Sequence, residues 1–166
     1  MASGDELIRM EVKGLMMDPS SNVPIVILRD DESSRFLPIW IGIFEANAIA
    51  LQLEGIEPPR PMTHDLMIGL LNHLETEIVK VVISALENNT FFARITVKLG
   101  GRESSVDSRP SDAIALALRA AAPIYVAAGV LSKAAADNQA GQLGDEEKLK
   151  KWLEELDPED LGKYTM

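Results

Sequence analysis

The chain has 166 residues, 46% of them hydrophobic and 25% charged, which suits one domain with a buried core and excludes a disordered chain. It has no cysteine, so disulfides, thiolate catalysis and cysteine-ligated zinc are excluded. The formal net charge is −10, of which the segment from Asp145 onward (8 acids, 4 bases) carries −4 and the rest (18 acids, 12 bases) carries −6. The acidity is therefore general, and no basic stripe offers the phosphate neutralisation behind tight, non-specific nucleic-acid binding.

The N-terminus is acidic and lacks the basic and apolar regions of a secretory signal. No apolar run reaches the roughly 20 residues of a membrane helix. The expectation is a cytoplasmic protein without a membrane partner.

In chain order, Ile8, Met10 and Val12 alternate in a strand over Ile8–Met16, and Asp18-Pro19-Ser20-Ser21-Asn22 is a turn. Pro24–Leu28 and Phe36–Ile41 read as two further strands. Pro38 places the second at an edge or a bulge, and the three form a meander. Glu45–Leu53 reads as a helix stopped near Gly55. Pro58, Pro59 and Pro61 stiffen the connector to a second helix, capped by Thr63 and running to about Leu74, with Leu66, Leu70, Leu71 and Leu74 as its apolar stripe.

Ile78–Leu86 and Phe91–Leu99 are β-rich, with Asn88-Asn89 as a hairpin turn. Gly100-Gly101 turns into a short strand, Ser104–Asp107. Ser108 caps a helix to about Ala121 with Pro110 in its first turn. After Pro123 come a brief strand, Ile124–Val126, and a short helix, Val130–Ala136. Asn138–Gly144 reads as a polar hinge before an acidic helix, Glu146–Leu156. Grouped strands with helices between them predict an α+β fold: a mixed or antiparallel sheet with helices packed on it, one compact domain over residues 1–136, and a hinge with a C-terminal helix and tail over 137–166.

Chemistry-bearing residues concentrate in two segments that each open a helix. In Arg60-Pro61-Met62-Thr63-His64-Asp65, a helix N-terminus can receive an anion, Arg60 can hold phosphate, His64 can move a proton and Asp65 can bind a hard cation. Each also has a plain structural use: Thr63 as a cap, Asp65 on the helix dipole or paired with Arg60. His73, nine residues after His64, falls on the opposite helix face and makes no metal pair with it.

Asp107-Ser108-Arg109-Pro110-Ser111-Asp112, continuing to Arg119, repeats the pattern. Asp112 and Arg119 share a helix face two turns apart, too far for a direct pair. The bland version is an Arg–Asp network that locks the fold. The sharp version gathers Asp65, Asp107 and Asp112 around Mg²⁺ or Mn²⁺ while Arg60, Arg109 and Arg119 face phosphate. Glu45 is a further carboxylate in a first turn, read as solvent-exposed. The alanines at 113, 115 and 117 suit close packing, internal or between subunits. No Gly-x-Ser-x-Gly elbow, phosphate-binding Gly loop or His-Glu-x-x-His helix is present.

These stretches resemble the bifunctional nuclease domain family. The match runs through Leu37-Pro38-Ile39-Trp40-Ile41-Gly42, Glu45-Ala46, Arg60 to Asp65, Asp107 to Arg119 and Pro123-Ile124-Tyr125-Val126, within roughly Ile8–Leu131. The acidic segment from Glu146 to Leu161 looks like the tail of stand-alone bacterial members. The resemblance implies a compact α+β domain that associates with copies of itself, as a dimer, and a nuclease acting on RNA and DNA as transient substrates. It brings no settled catalytic set.

Residues and resemblance together lead to a nuclease with His64, Asp65 and Asp112 as catalytic groups. The rivals are a non-catalytic oligomeric or regulatory module and an enzyme for a small anionic metabolite.

Overall fold

A computed structural model describes residues 6–140. Seven strands, β1 (Leu7–Met17), β2 (Pro24–Arg29), β3 (Phe36–Trp40), β4 (Thr76–Glu87), β5 (Thr90–Leu99), β6 (Arg102–Ser108) and β7 (Ile124–Ala127), form one sheet in the order β3-β2-β1-β7-β4-β5-β6. Only β4 and β7 run parallel, so the sheet is mixed and the fold is α+β.

Local chemistry accounts for most of the ladder. Asn88-Asn89 and Gly100-Gly101 all have positive φ, which a tight two-residue hairpin requires. Pro38 lies in edge strand β3, where its missing N–H costs no ladder bond on the open side. Strand β1 serves two neighbours: Leu7–Met10 pairs with β7 and Glu11–Met17 with β2, with a bulge between Val12 and Gly14 inside the β2-paired stretch.

Among the described residues four helices accompany the sheet: α1 (Ile43–Leu53), α2 (Thr63–His73), α3 (Pro110–Ala120) and α4 (Ala128–Ala140). Helix α3 packs on β4 and β5 and is flanked by α1 and α2. Ala113, Ala115 and Ala117 are fully buried there, so the alanine face is internal packing and not a subunit contact. Helix α4 continues through Ala140, which takes in the first residues of the expected hinge. The remainder of that hinge and the expected acidic C-terminal helix lie outside the described residues.

Helix α2 departs from its expected stripe. Leu66, Leu70 and Leu74 are each more than half exposed, Ile68 and Leu71 pack partly against the core, and the buried residue of the helix is His64. Positions 64, 68 and 71 share one helical face, and 66, 70 and 74 another. Polar bonds made by His64 and Asp65 in the first turn fix this rotation. No helix among the described residues is long and apolar enough to cross a membrane.

Candidate functional site

Both Arg-Pro segments end in a helix start, and the fold lays these two starts together. Neither has a side-chain cap from its N-cap residue: Met62 precedes α2 and Arg109 precedes α3, one position from the expected caps Thr63 and Ser108. At α2 the carboxylate of Asp65 instead accepts the Met62 N–H at 3.0 Å. At α3, Pro110 takes the first position, where its missing N–H is harmless.

A continuous polar chain runs from one segment to the other. His64 Nε2 lies 2.9 Å from Asp112 Oδ1, across 48 residues of sequence. Asp112 Oδ2 accepts from Arg109 Nε at 2.8 Å, and Arg109 Nη2 donates to Glu45 Oε1 at 2.8 Å. Burial pushes the Asp112 carboxyl up, but the bonds from His64 and Arg109 outweigh it and hold it below its ordinary value. The ionised carboxylate draws a proton onto His64 Nε2. Nδ1, the other ring nitrogen, makes no hydrogen bond among the described residues. The bonds from Asp112 and Glu45 raise the Arg109 pKa, keeping it charged, although its side chain is 64% exposed. Glu45, expected to face solvent, is instead folded over Gly42, where a Cβ would strike its carboxylate.

A second link joins the same helices. Arg119, whose side chain is only 6% exposed, donates from Nε to Asp65 Oδ1 at 2.7 Å, from Nη1 to the Ala115 carbonyl and from Nη2 to the Ala48 carbonyl, both at 2.9 Å. The Arg119 bond, the Met62 N–H and the Arg119 charge hold the Asp65 carboxyl below its ordinary value. Arg119 thus ties α1, α2 and α3 together.

An open cleft of about 920 Å³ is lined on its polar side by Glu45, His64, Asp107, Arg109 and Asp112, a volume typical of ligand sites. Its apolar wall includes Phe44, Phe92, Met62 and Val106. Several expectations change on this geometry. Arg60 lies exposed outside the cleft lining and makes no hydrogen bond or ion pair among the described residues, so it is neither partner of Asp65 nor part of the cluster. Arg119 touches the cleft, but its guanidinium is spent on internal acceptors and not on phosphate. Asp65 lines a separate recess with Arg119.

The three-carboxylate metal centre is not assembled. Asp65 is in the other recess, the two oxygens of Asp112 are already bonded to His64 and Arg109, and among the described residues no three His, Asp or Glu side chains gather closely enough to hold a metal ion. Sequence reading weighed Glu45 but not its bond to Arg109, and it missed Phe44 and Phe92. The available signal was Phe44 beside Glu45 in a helical first turn directly after Gly42.

The bifunctional nuclease domain profile matches residues 26–139, which span β2 to α4 and contain every residue of the polar chain. The chain belongs to the bifunctional nuclease domain family. Across 161 residues it is 39% identical to an uncharacterized protein of Mycobacterium tuberculosis, covering 92% of this chain and 96% of that protein. It is 27% identical over 114 residues to Bifunctional nuclease 1 of Oryza sativa subsp. indica, covering 67% of this chain and 34% of the plant protein. Bifunctional nuclease 1 of Arabidopsis thaliana is 25% identical over 116 residues, with 68% and 36% covered. The polar cluster therefore lies within the matched domain, and this chain spans about a third of the length of the plant relatives.

The depressed carboxyls of this family member set its acid stability. Asp65, Asp112 and Asp30 have folded pKa values below their unfolded ones. Their contribution is complete above the unfolded value of about 4 and is lost as pH falls toward the folded values. Urea midpoints should hold between pH 7 and about pH 5 and fall steeply near pH 3. In Asp65→Asn the fall should be shallower; a midpoint as high at pH 3 as at pH 7 would refute the assignment.

Proposed function

We propose that this protein hydrolyses phosphodiester bonds of RNA and DNA at the cleft where α2 and α3 begin. The observation that carries the reading is the His64–Asp112 bond, a proton-transfer group oriented by an ionised carboxylate beside an exposed guanidinium. His64 takes a proton from water as it attacks phosphorus, or returns one to the leaving oxygen. Asp112 holds the ring in place through its bond to Nε2. Arg109, with Nη1 uncommitted among the described residues, faces the charge that develops on the phosphate. Attack by water needs no 2′-hydroxyl, so one site serves both polymers. The plant relatives named as bifunctional nucleases support the substrate class.

Purified protein freed of host nucleases should degrade single-stranded RNA and DNA, and His64→Ala should lose that activity. The same assay with EDTA, Mg²⁺ and Mn²⁺ reads metal dependence. Equal rates for wild type and His64→Ala would remove the assignment.

Self-association belongs to the same reading. The surface we assign to it is the solvent-facing row of Leu66 and Leu70 on α2 and Leu74 at its C-cap, three leucines about one turn apart. A dimer mass at micromolar concentration that falls to the monomer mass in Leu70→Glu is the expected result. A monomeric wild type would remove the assignment.

A further inference from the structure

A nucleic-acid strand brings one negative charge per nucleotide. The polar end of the cleft meets it with Glu45, Asp107 and Asp112 against one exposed guanidinium, that of Arg109. The whole chain carries −10. Counterion release, the usual source of sequence-independent affinity, is therefore small here. Something other than phosphate neutralisation has to hold the substrate.

The apolar lining of the cleft supplies it. Phe44 is 84% exposed, the highest value of any large hydrophobic side chain among the described residues, and it adds almost nothing to the core. Its neighbour in sequence is Glu45, the carboxylate that holds Arg109, so the ring stands beside the polar chain. Phe92 lines the same cleft and is also exposed, at 39%. Aromatic rings left in water next to a phosphate-directed cluster match how single strands are gripped: each base has a π-face, and stacking is indifferent to sequence and sugar. Bases in a duplex are already stacked and paired, and cannot offer that face.

We infer that the cleft selects unpaired nucleotides, with bases stacking on Phe44 and Phe92 while the adjoining phosphate reaches Arg109 and His64. This rests on the nuclease reading of the same cleft and narrows its substrate to single-stranded RNA and DNA.

The test is a binding measurement that needs no turnover. Full-length protein is titrated, by fluorescence anisotropy, into a labelled phosphorothioate oligothymidylate, an abasic strand of equal length and charge, and a duplex. Wild type should bind the base-bearing strand on the order of 10-fold more tightly than either of the others. The slope of log affinity against log salt should be shallow, about −1 or less in magnitude, because roughly one phosphate is neutralised. Phe44→Ala should remove most of the preference, and Leu99→Ala, an exposed leucine outside the cleft, should keep it.

Equal affinity of wild type for base-bearing and abasic strands overturns the inference, and cleavage by that same protein would leave the nuclease reading standing. A base preference lost in Phe44→Ala, in a protein that cleaves neither polymer, would sustain the binding inference and sink the nuclease reading. A Phe44→Ala protein that keeps the base preference but loses a dimer mass would assign the wall to a second copy of the chain, and overturns the inference too.

Discussion

Asp112→Asn should lower single-strand cleavage by roughly 10²- to 10⁴-fold, the usual share of a positioned acid–base group. The argument is electrostatic and geometric together. The carboxylate of Asp112 accepts from His64 on one oxygen and from Arg109 on the other. The amide is nearly the same shape but uncharged, and half of it is a donor. If its oxygen stays with His64, its NH₂ faces the Arg109 Nε–H, donor against donor. If it flips, NH₂ faces Nε2 and stabilises the wrong tautomer of the ring. In either pose one of the two bonds that position the ring and the guanidinium is lost. The loss should appear in kcat more than in KM, because Asp112 acts on the ring through which the proton moves. His64→Ala should cost a similar factor, and the double variant little more, since the two residues act as one unit. The rival reading, a structural network without catalysis, predicts a lower melting temperature and no change in any turnover. An Asp112→Asn protein that cleaves at the wild-type rate would remove Asp112 from the catalytic assignment.

Arg119→Met should be the most destabilising single change in this region, by about 3–5 kcal/mol, the range for removing one partner of a buried pair. Methionine fills much of the same length but satisfies none of the three acceptors, leaving the Asp65 carboxylate without its main partner and the Ala48 and Ala115 carbonyls without donors. For a chain of this size, 1 kcal/mol moves the melting temperature by about 2–4 °C, so a fall on the order of 10 °C is expected. Arg119→Lys should recover only a part, because one ammonium cannot reproduce a fork aimed at three oxygens. Adding Asp65→Leu to Arg119→Met should restore some stability, since the carboxylate then no longer lacks its partner. A loss below about 1 kcal/mol in the urea-extrapolated stability of Arg119→Met would contradict this bonding.

These two variants separate what looked alike in sequence. Asp65 and Asp112 each stand at the third position of a helix, five and three residues after an Arg of an Arg-Pro pair, and both accept an arginine. Yet Asp112 lines the large cleft with His64, while Asp65 lies in the smaller recess holding Arg119. The expected local pair, Arg60 with Asp65, gives way to one spanning 54 residues, because α3 brings Arg119 alongside the first turn of α2. The choice between Arg60 and Arg119 depended on helix packing, not spacing.

What the sequence by itself determined is what depends on a few adjacent residues. Asn88-Asn89 and Gly100-Gly101 turn the chain because their backbones tolerate positive φ, Pro38 marks an edge strand because it lacks a donor, and Pro110 opens a helix for the same reason. The α+β class and the two helix-opening Arg-Pro segments follow from such signals. Tertiary structure alone decided that β1 divides its length between β2 and β7, that α2 turns its leucines outward and His64 inward, and that His64 meets Asp112 while Arg119 takes Asp65. Each of those outcomes is a competition among partners tens of residues apart. Local propensity carries no information about which distant group arrives, so the choice appears only when the helices have packed.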